Sequence, residues 1–234
     1  MSGLLTLPDV YGIVERGVLR ASTLQPSSYP LFKHVKTILS LSPEAPTKSL
    51  LSWIEDNRIN LIHLGYQQLL RPTTTSSWRP VAEELVKDGL EIILNAETHP
   101  ILIMCTSGVQ ETGTLVGCLR KLQGWNFNAI IAEYRSFAGN KSRYVNEQFI
   151  ELYDLDLITL PKNLPQWFID HQRMLSDEAA VLKLQQLPAA GMGEQPDGHS
   201  GADADGDACA GAGADPAPNT TVSTAAHPSQ GHAA

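Results

Sequence analysis

The sequence predicts an α/β fold with a largely parallel central sheet flanked by helices, and two patterns carry that expectation. Short runs from Val35 to Leu41, Ile59 to Leu64 and Ile101 to Met104 are apolar almost throughout. They read as strands buried on both faces, as a parallel sheet covered by helices requires. Between and after them lie segments whose apolar residues recur at helical spacing, so strands and helices alternate along the chain.

Each element has its own signal. Ile13-Val14 and Val18-Leu19-Arg20 flank Glu15-Arg16-Gly17, which predicts a small hairpin. Val35, Ile38, Leu39 and Leu41 mark the first buried strand. Pro46 to Asn57 begins with an early proline and carries Leu50, Leu51 and Ile54 as an apolar face. Arg79 to Asn95 places Ala82, Val86, Gly89 and Ile93 along one stripe, with Glu83, Glu84, Lys87 and Asp88 towards water. Ile101-Leu102-Ile103-Met104 is the third strand. After it Leu115, Leu119 and Leu122 share a helical face, and Gly124 offers a stop. Asn126 to Phe137, Tyr144 to Asp154 and Pro165 to Gln186 read as further helices.

With 234 residues the chain can bury one good core, and no internal repeat is visible. The expected organisation is an N-terminal extension over residues 1–10, one domain over 11–187, and a tail over 188–234. In the tail Ala, Gly, Asp, Pro, Ser and Thr dominate. Such a composition cannot bury enough surface to offset its ordering entropy, so a disordered tail is expected.

Composition narrows the function. A formal charge of −8 argues against nucleic acid or an anionic membrane as partner. No apolar run approaches the length of a membrane span, and Met1 to Val10 lacks the basic start and apolar stretch of a secretory leader. Cys105, Cys118 and Cys209 cannot all pair, and their spacing suits no zinc site. Reduced thiols and a cytoplasmic location are the expectation. The glycosylation patterns at Asn140 and Asn219 then read as chance matches. His34, His63, His99 and His171 form no ligand spacing, so no metal or other cofactor is expected.

The chemistry concentrates after the apolar strand, where open α/β sheets bind ligands. The junction reads Met104-Cys105-Thr106-Ser107-Gly108-Val109-Gln110-Glu111-Thr112-Gly113. A cysteine, a short loop with glycine and a helix start can form a cradle of backbone N–H groups for an anion. The same field would lower a thiol's pKa and make it a nucleophile. Cys105 is the candidate nucleophile, and Thr106, Ser107, Gly108, Val109, Gln110, Glu111 and Thr112 form the candidate anion loop.

These residues resemble the plant and fungal atypical dual-specificity phosphatases, including the fungal oxidant-induced cell-cycle arrest proteins. The signature of that family is His-Cys, five residues, Arg, then Ser or Thr. Cys105, Gly108, Thr112 and Gly113 take their places in it. Gly117-Cys118-Leu119-Arg120-Lys121-Leu122-Gln123-Gly124-Trp125, Glu133-Tyr134-Arg135-Ser136-Phe137-Ala138 and Glu147-Gln148-Phe149-Ile150-Glu151-Leu152-Tyr153-Asp154 also resemble its helices. The resemblance covers roughly Tyr11 to Leu160 and implies a cysteine-phosphatase fold.

The departures decide the expected activity. Glu111 stands where the family has its arginine, and Met104 where it has its histidine. The arginine would grip two phosphate oxygens; a carboxylate removes that attraction and adds a repulsion. At ~4 Å and an effective dielectric of about 20, each is worth about 4 kcal/mol before solvent relaxation. Half of the combined loss lowers rate or affinity by roughly three powers of ten. Glu111 should also oppose thiolate formation at Cys105. Leu64 to Val81, where phosphatases of this fold keep an acidic proton donor, contains no Asp or Glu, but holds Arg71 and Arg79. The expectation is a pseudophosphatase that binds other proteins, related phosphatase-like chains in a hetero-complex among them, in stress or cell-cycle signalling. Phosphate binding would be weak. The rival is an active enzyme on phosphotyrosine or inositol pyrophosphate, with Arg71, Arg79 or Arg143 supplying the cation. A redox-sensing role for Cys105 ranks lower, since a raised thiol pKa reduces reactivity. Lys141 and Arg143 could border the site or be solvated. Arg120-Lys121 reads as a solvated face, Cys118 as a core residue, and Trp125, Tyr134, Trp167 and Phe168 as core or helix-docking residues.

Overall fold

The computed structural model describes residues 5–69 and 80–186. Arg71, Arg79, Cys209 and the expected tail lie outside the described residues.

Five strands form one sheet: β1 (Tyr11–Glu15), β2 (Val18–Ala21), β3 (Thr37–Ser40), β4 (Asn60–His63) and β5 (Ile101–Met104), in the order β1-β2-β5-β3-β4. Pairing is parallel except for the edge hairpin β1–β2, which turns at Gly17 with φ +81°. The helices are α1 (Lys48–Asp56), α2 (Leu64–Leu69), α3 (Glu83–Ile93), α4 (Gln110–Leu122), α5 (Phe127–Ala138), α6 (Tyr144–Leu152) and α7 (Gln166–Gln186). All the predicted strands and helices appear. Thr47 caps α1 by accepting from the N–H of Leu50 at 3.3 Å.

Strand β5 shows why the centre of the sheet is apolar on both sides. Ile101 and Ile103 point into a core shared with α3, α4 and α6, while Leu102 and Met104 point into a second one with α1. Successive strand residues face opposite ways, so a sheet covered twice has no polar positions to spare.

Three features differ from what the sequence alone suggests. Leu51 is 37% exposed, so the apolar face of α1 rests on Leu50 and Ile54. A short helix, α2, follows β4 directly and has no signal of its own. Gly65 lets its first turn approach Leu41 and Ser42: a Cβ there would lie 2.1 Å from the carbonyl oxygen of Ser42. The third concerns Arg120, which is not solvated but 4% exposed. Helix α4 is buried over its whole middle, Thr112 to Arg120, because α3, α5 and α6 all pack on it. Arg120 therefore turns inward. Its Nη1 donates to Glu15 Oε1 at 2.5 Å, Nε to Glu133 Oε2 at 2.8 Å, and Nη2 to the Val14 carbonyl at 2.8 Å. Its guanidinium covers the ring of Trp125, which itself stays 39% exposed. Lys121 Nζ donates to the Tyr153 carbonyl at 2.8 Å, closing the end of α6. Cys118, Tyr134 and Phe168 are core residues, as expected. Among the described residues no helix is long and apolar enough to cross a membrane.

Arg120 ties β1, α4 and α5 together, so Arg120→Ala leaves Glu15 and Glu133 without their shared cation. The expected loss is about 3 kcal/mol of unfolding free energy, read from the midpoint of a urea transition.

Candidate functional site

The candidate site is built on the β5–α4 connection. The strand delivers Cys105 to the carboxyl end of the sheet, and the chain crosses Thr106 to Val109 before α4 begins at Gln110. Gly108 adopts φ +68° and packs so close to β2 that a Cβ would sit 2.6 Å from the Ser22 amide nitrogen. Only glycine meets both demands at low cost. Beneath the loop, Arg20 donates from Nη2 to the Gly108 carbonyl at 2.9 Å and stacks on Phe137, 4.0 Å from the ring centre. Arg20 is 1% exposed, and burial lowers its pKa to about 10. It remains a cation at neutral pH, directly under the thiol's loop. Sequence reasoning missed it; the available signal was a charged residue inside a strand with no polar face.

The loop is largely satisfied by its own chain. The Gly108 N–H donates to Cys105 Sγ at 3.2 Å, and the Val109 N–H to Ser107 Oγ at 3.2 Å. Two N–H groups of the expected cradle are thus already engaged. Cys105 is fully buried. Burial, and then the Glu111 carboxylate beside it, push its thiol pKa up. Thr112 turns its N–H and hydroxyl towards the sulfur and offsets part of that rise. Its hydroxyl lacks the geometry of a full hydrogen bond.

Above the loop lies a cavity of about 420 Å³, lined by Thr106, Ser107, Gln110, Glu111, Lys141, Arg143 and Asn146, with Pro43, Glu44 and Pro80 closing it. Of the predicted loop residues, Thr106, Ser107, Gln110 and Glu111 reach this cavity. Gly108, Val109 and Thr112 are buried behind it. Lys141 and Arg143 do border the site. Their segment is held by Glu147, which accepts from Arg135 at 2.6 and 2.7 Å and from Ser142 Oγ at 3.1 Å. Tyr134 accepts from the Arg143 N–H at 3.3 Å and from Asn146 Nδ2 at 2.9 Å.

Glu44 is a second residue that sequence reasoning missed. It stands on the loop after β3, and its Oε2 accepts from Thr106 Oγ1 at 2.8 Å. Its position just past the carboxyl end of a parallel strand was the usable signal. Among the described residues no group of three or more His, Cys, Asp or Glu gathers as a metal site.

A neutral, buried thiol should alkylate slowly with iodoacetamide at pH 7, and faster as pH rises, because the thiolate is the reactive form. Glu111→Gln removes the charge that opposes thiolate formation, so its neutral-pH rate should rise severalfold at Cys105, mapped by peptide mass spectrometry. Gly108→Ala should cost about 2 kcal/mol of stability, since it meets both strained φ and a backbone clash; thermal unfolding reads that loss.

The geometry matches known proteins. The sequence fits the tyrosine phosphatase family over residues 5–171. It is 43% identical over 162 residues to a Dictyostelium discoideum protein named "Probable tyrosine-protein phosphatase DG1060", spanning 68% of this chain and 94% of that one. It is 32% identical over 156 residues to the Arabidopsis thaliana "Inositol diphosphatase DSP4", spanning 65% of this chain and 76% of the other. The crystal structure of the core catalytic domain of the PP-IP phosphatase SIW14 from S. cerevisiae, in complex with citrate, superposes with TM-score 0.58 at 30% identity. That match covers 75% of this chain and 96% of SIW14's domain. The sheet order, the cysteine at the end of β5 and these matches agree: the chain belongs to the tyrosine phosphatase family and has the cysteine-phosphatase fold.

Proposed function

We propose that this chain is a pseudophosphatase, a phosphatase-family protein that uses the former active-site end of its sheet to bind other proteins rather than to turn over phosphate esters. One observation carries the reading: the Glu111 carboxylate lies beside the Cys105 thiol and helps to raise its pKa. A nucleophilic thiol needs the opposite field. An incoming phosphate would meet a negative charge at the position from which a guanidinium should stabilise it. Met104 adds nothing polar; its side chain packs with Leu102 into the α1 core. The partners we infer are proteins, including related phosphatase-like chains, in cytoplasmic stress or cell-cycle signalling. That setting is an analogy with the family, since folds carry many functions.

A second reading has its own support. Names borne by relatives, a tyrosine-protein phosphatase and an inositol diphosphatase, describe turnover. The scaffold under the loop, with buried Arg20 and rim residues Lys141 and Arg143, still offers positive charge. In that reading Cys105 attacks phosphotyrosine or an inositol pyrophosphate.

Phosphate release from both substrate classes, measured beside Cys105→Ser, separates the two. The expected outcome is release no faster from the wild-type chain than from Cys105→Ser. Robust release that disappears in Cys105→Ser overturns the proposal.

A further inference from the structure

The cavity over the loop carries charges of both signs that are not neutralised by one another. Glu44 and Glu111 line it, and so do Lys141 and Arg143. Among the described residues none of these side chains makes an ion pair within 4 Å. Ion pairs that do form among the described residues lie elsewhere, among them Lys87–Glu91, Arg120–Glu15, Arg120–Glu133 and Arg135–Glu147. Surface charges usually find water cheaply. Here they border a concave space of about 420 Å³, within the ~300–1,000 Å³ typical of ligand pockets.

Asn146 also lines the cavity and is 1% exposed. Its Nδ2 donates to Gln110 Oε1 at 2.5 Å and to the Tyr134 hydroxyl, which holds this wall in place. The two carboxylates call for a donor, and guanidinium and ammonium ions are donors only, whereas Lys141 and Arg143 call for an acceptor such as a carboxylate.

We propose that this cavity binds a mixed-charge segment of a partner protein, whose arginine or lysine side chain enters towards Glu111 and Glu44 while an adjacent carboxylate meets Lys141 and Arg143. This rests on the non-catalytic reading of the site and names the chemistry of its partner. Glu111 is then a binding residue, the charge complement of the arginine that the family signature places there. The two rim cations set the orientation of the incoming segment, since only one direction matches both signs.

The test is a chemical-shift titration of the full-length chain with a blocked peptide containing adjacent arginine and glutamate between glycines. Inorganic phosphate and a peptide with two glutamates serve as competing probes. The expected result is saturable, salt-sensitive shifts at Gln110, Lys141 and Asn146. Affinity should fall about tenfold in Glu111→Gln, as the loss of one charge-assisted contact implies, and severalfold in Arg143→Gln. It should be unchanged in Lys48→Gln, which lies at the start of α1. No binding of the mixed-charge peptide, affinity indifferent to Glu111→Gln, or displacement of the peptide by phosphate at lower concentration would overturn the assignment. Phosphate release by the same sample keeps the two ideas apart. Cys105-dependent turnover removes the non-catalytic reading itself, whereas no turnover together with no peptide binding removes the ligand class alone.

Discussion

The β5–α4 loop stays in shape because a buried guanidinium holds it from below. Arg20 rises from β2, stacks on Phe137, and donates to the Gly108 carbonyl, while Gly108 packs against the Ser22 backbone with a left-handed φ. Neither contact involves the side chains at positions 104 and 111. The loop can therefore lose the histidine and arginine of the family signature and still hold Cys105 at the end of the sheet. A scaffold maintained from beneath can change what it presents above.

What it presents is set by electrostatics more than by shape. The helix N-terminus favours an anion, and Lys141 and Arg143 add to that. Glu111 and Glu44 oppose it, with Glu111 beside the sulfur and Glu44 accepting from Thr106. Burial works with Glu111, since both favour the neutral thiol. The site thus keeps its cysteine at the end of the sheet while charges of both signs surround it.

Much of this was legible in the residues. The quartet Ile101 to Met104 has no polar member, which only a doubly covered strand explains, and the cysteine after it located the site. Gly124 ends α4 with φ +75°, as its place after Leu122 implied. What escaped depends on packing between distant segments. Arg120 lies where a one-sided helix would be wet, but α4 is enclosed by three other helices, so its polar edge became an internal ion-pair network. Arg20 and Glu44 come to the loop from strands and turns remote in sequence. No local pattern marks such residues. Their roles follow from the strand order β2-β5-β3, which sets β2 and β3 on either side of β5.

In the proposed reading the carboxylate at position 111 keeps anions away from the β5–α4 loop. Phosphate titration of the wild-type chain beside the double variant Met104→His, Glu111→Arg, followed by calorimetry, addresses it directly. Weak phosphate binding by the wild type and clear saturable binding by the variant are expected, a gain of roughly a hundredfold or more, as the two contacts of a forked guanidinium imply. Equal phosphate affinity in the two proteins would contradict it.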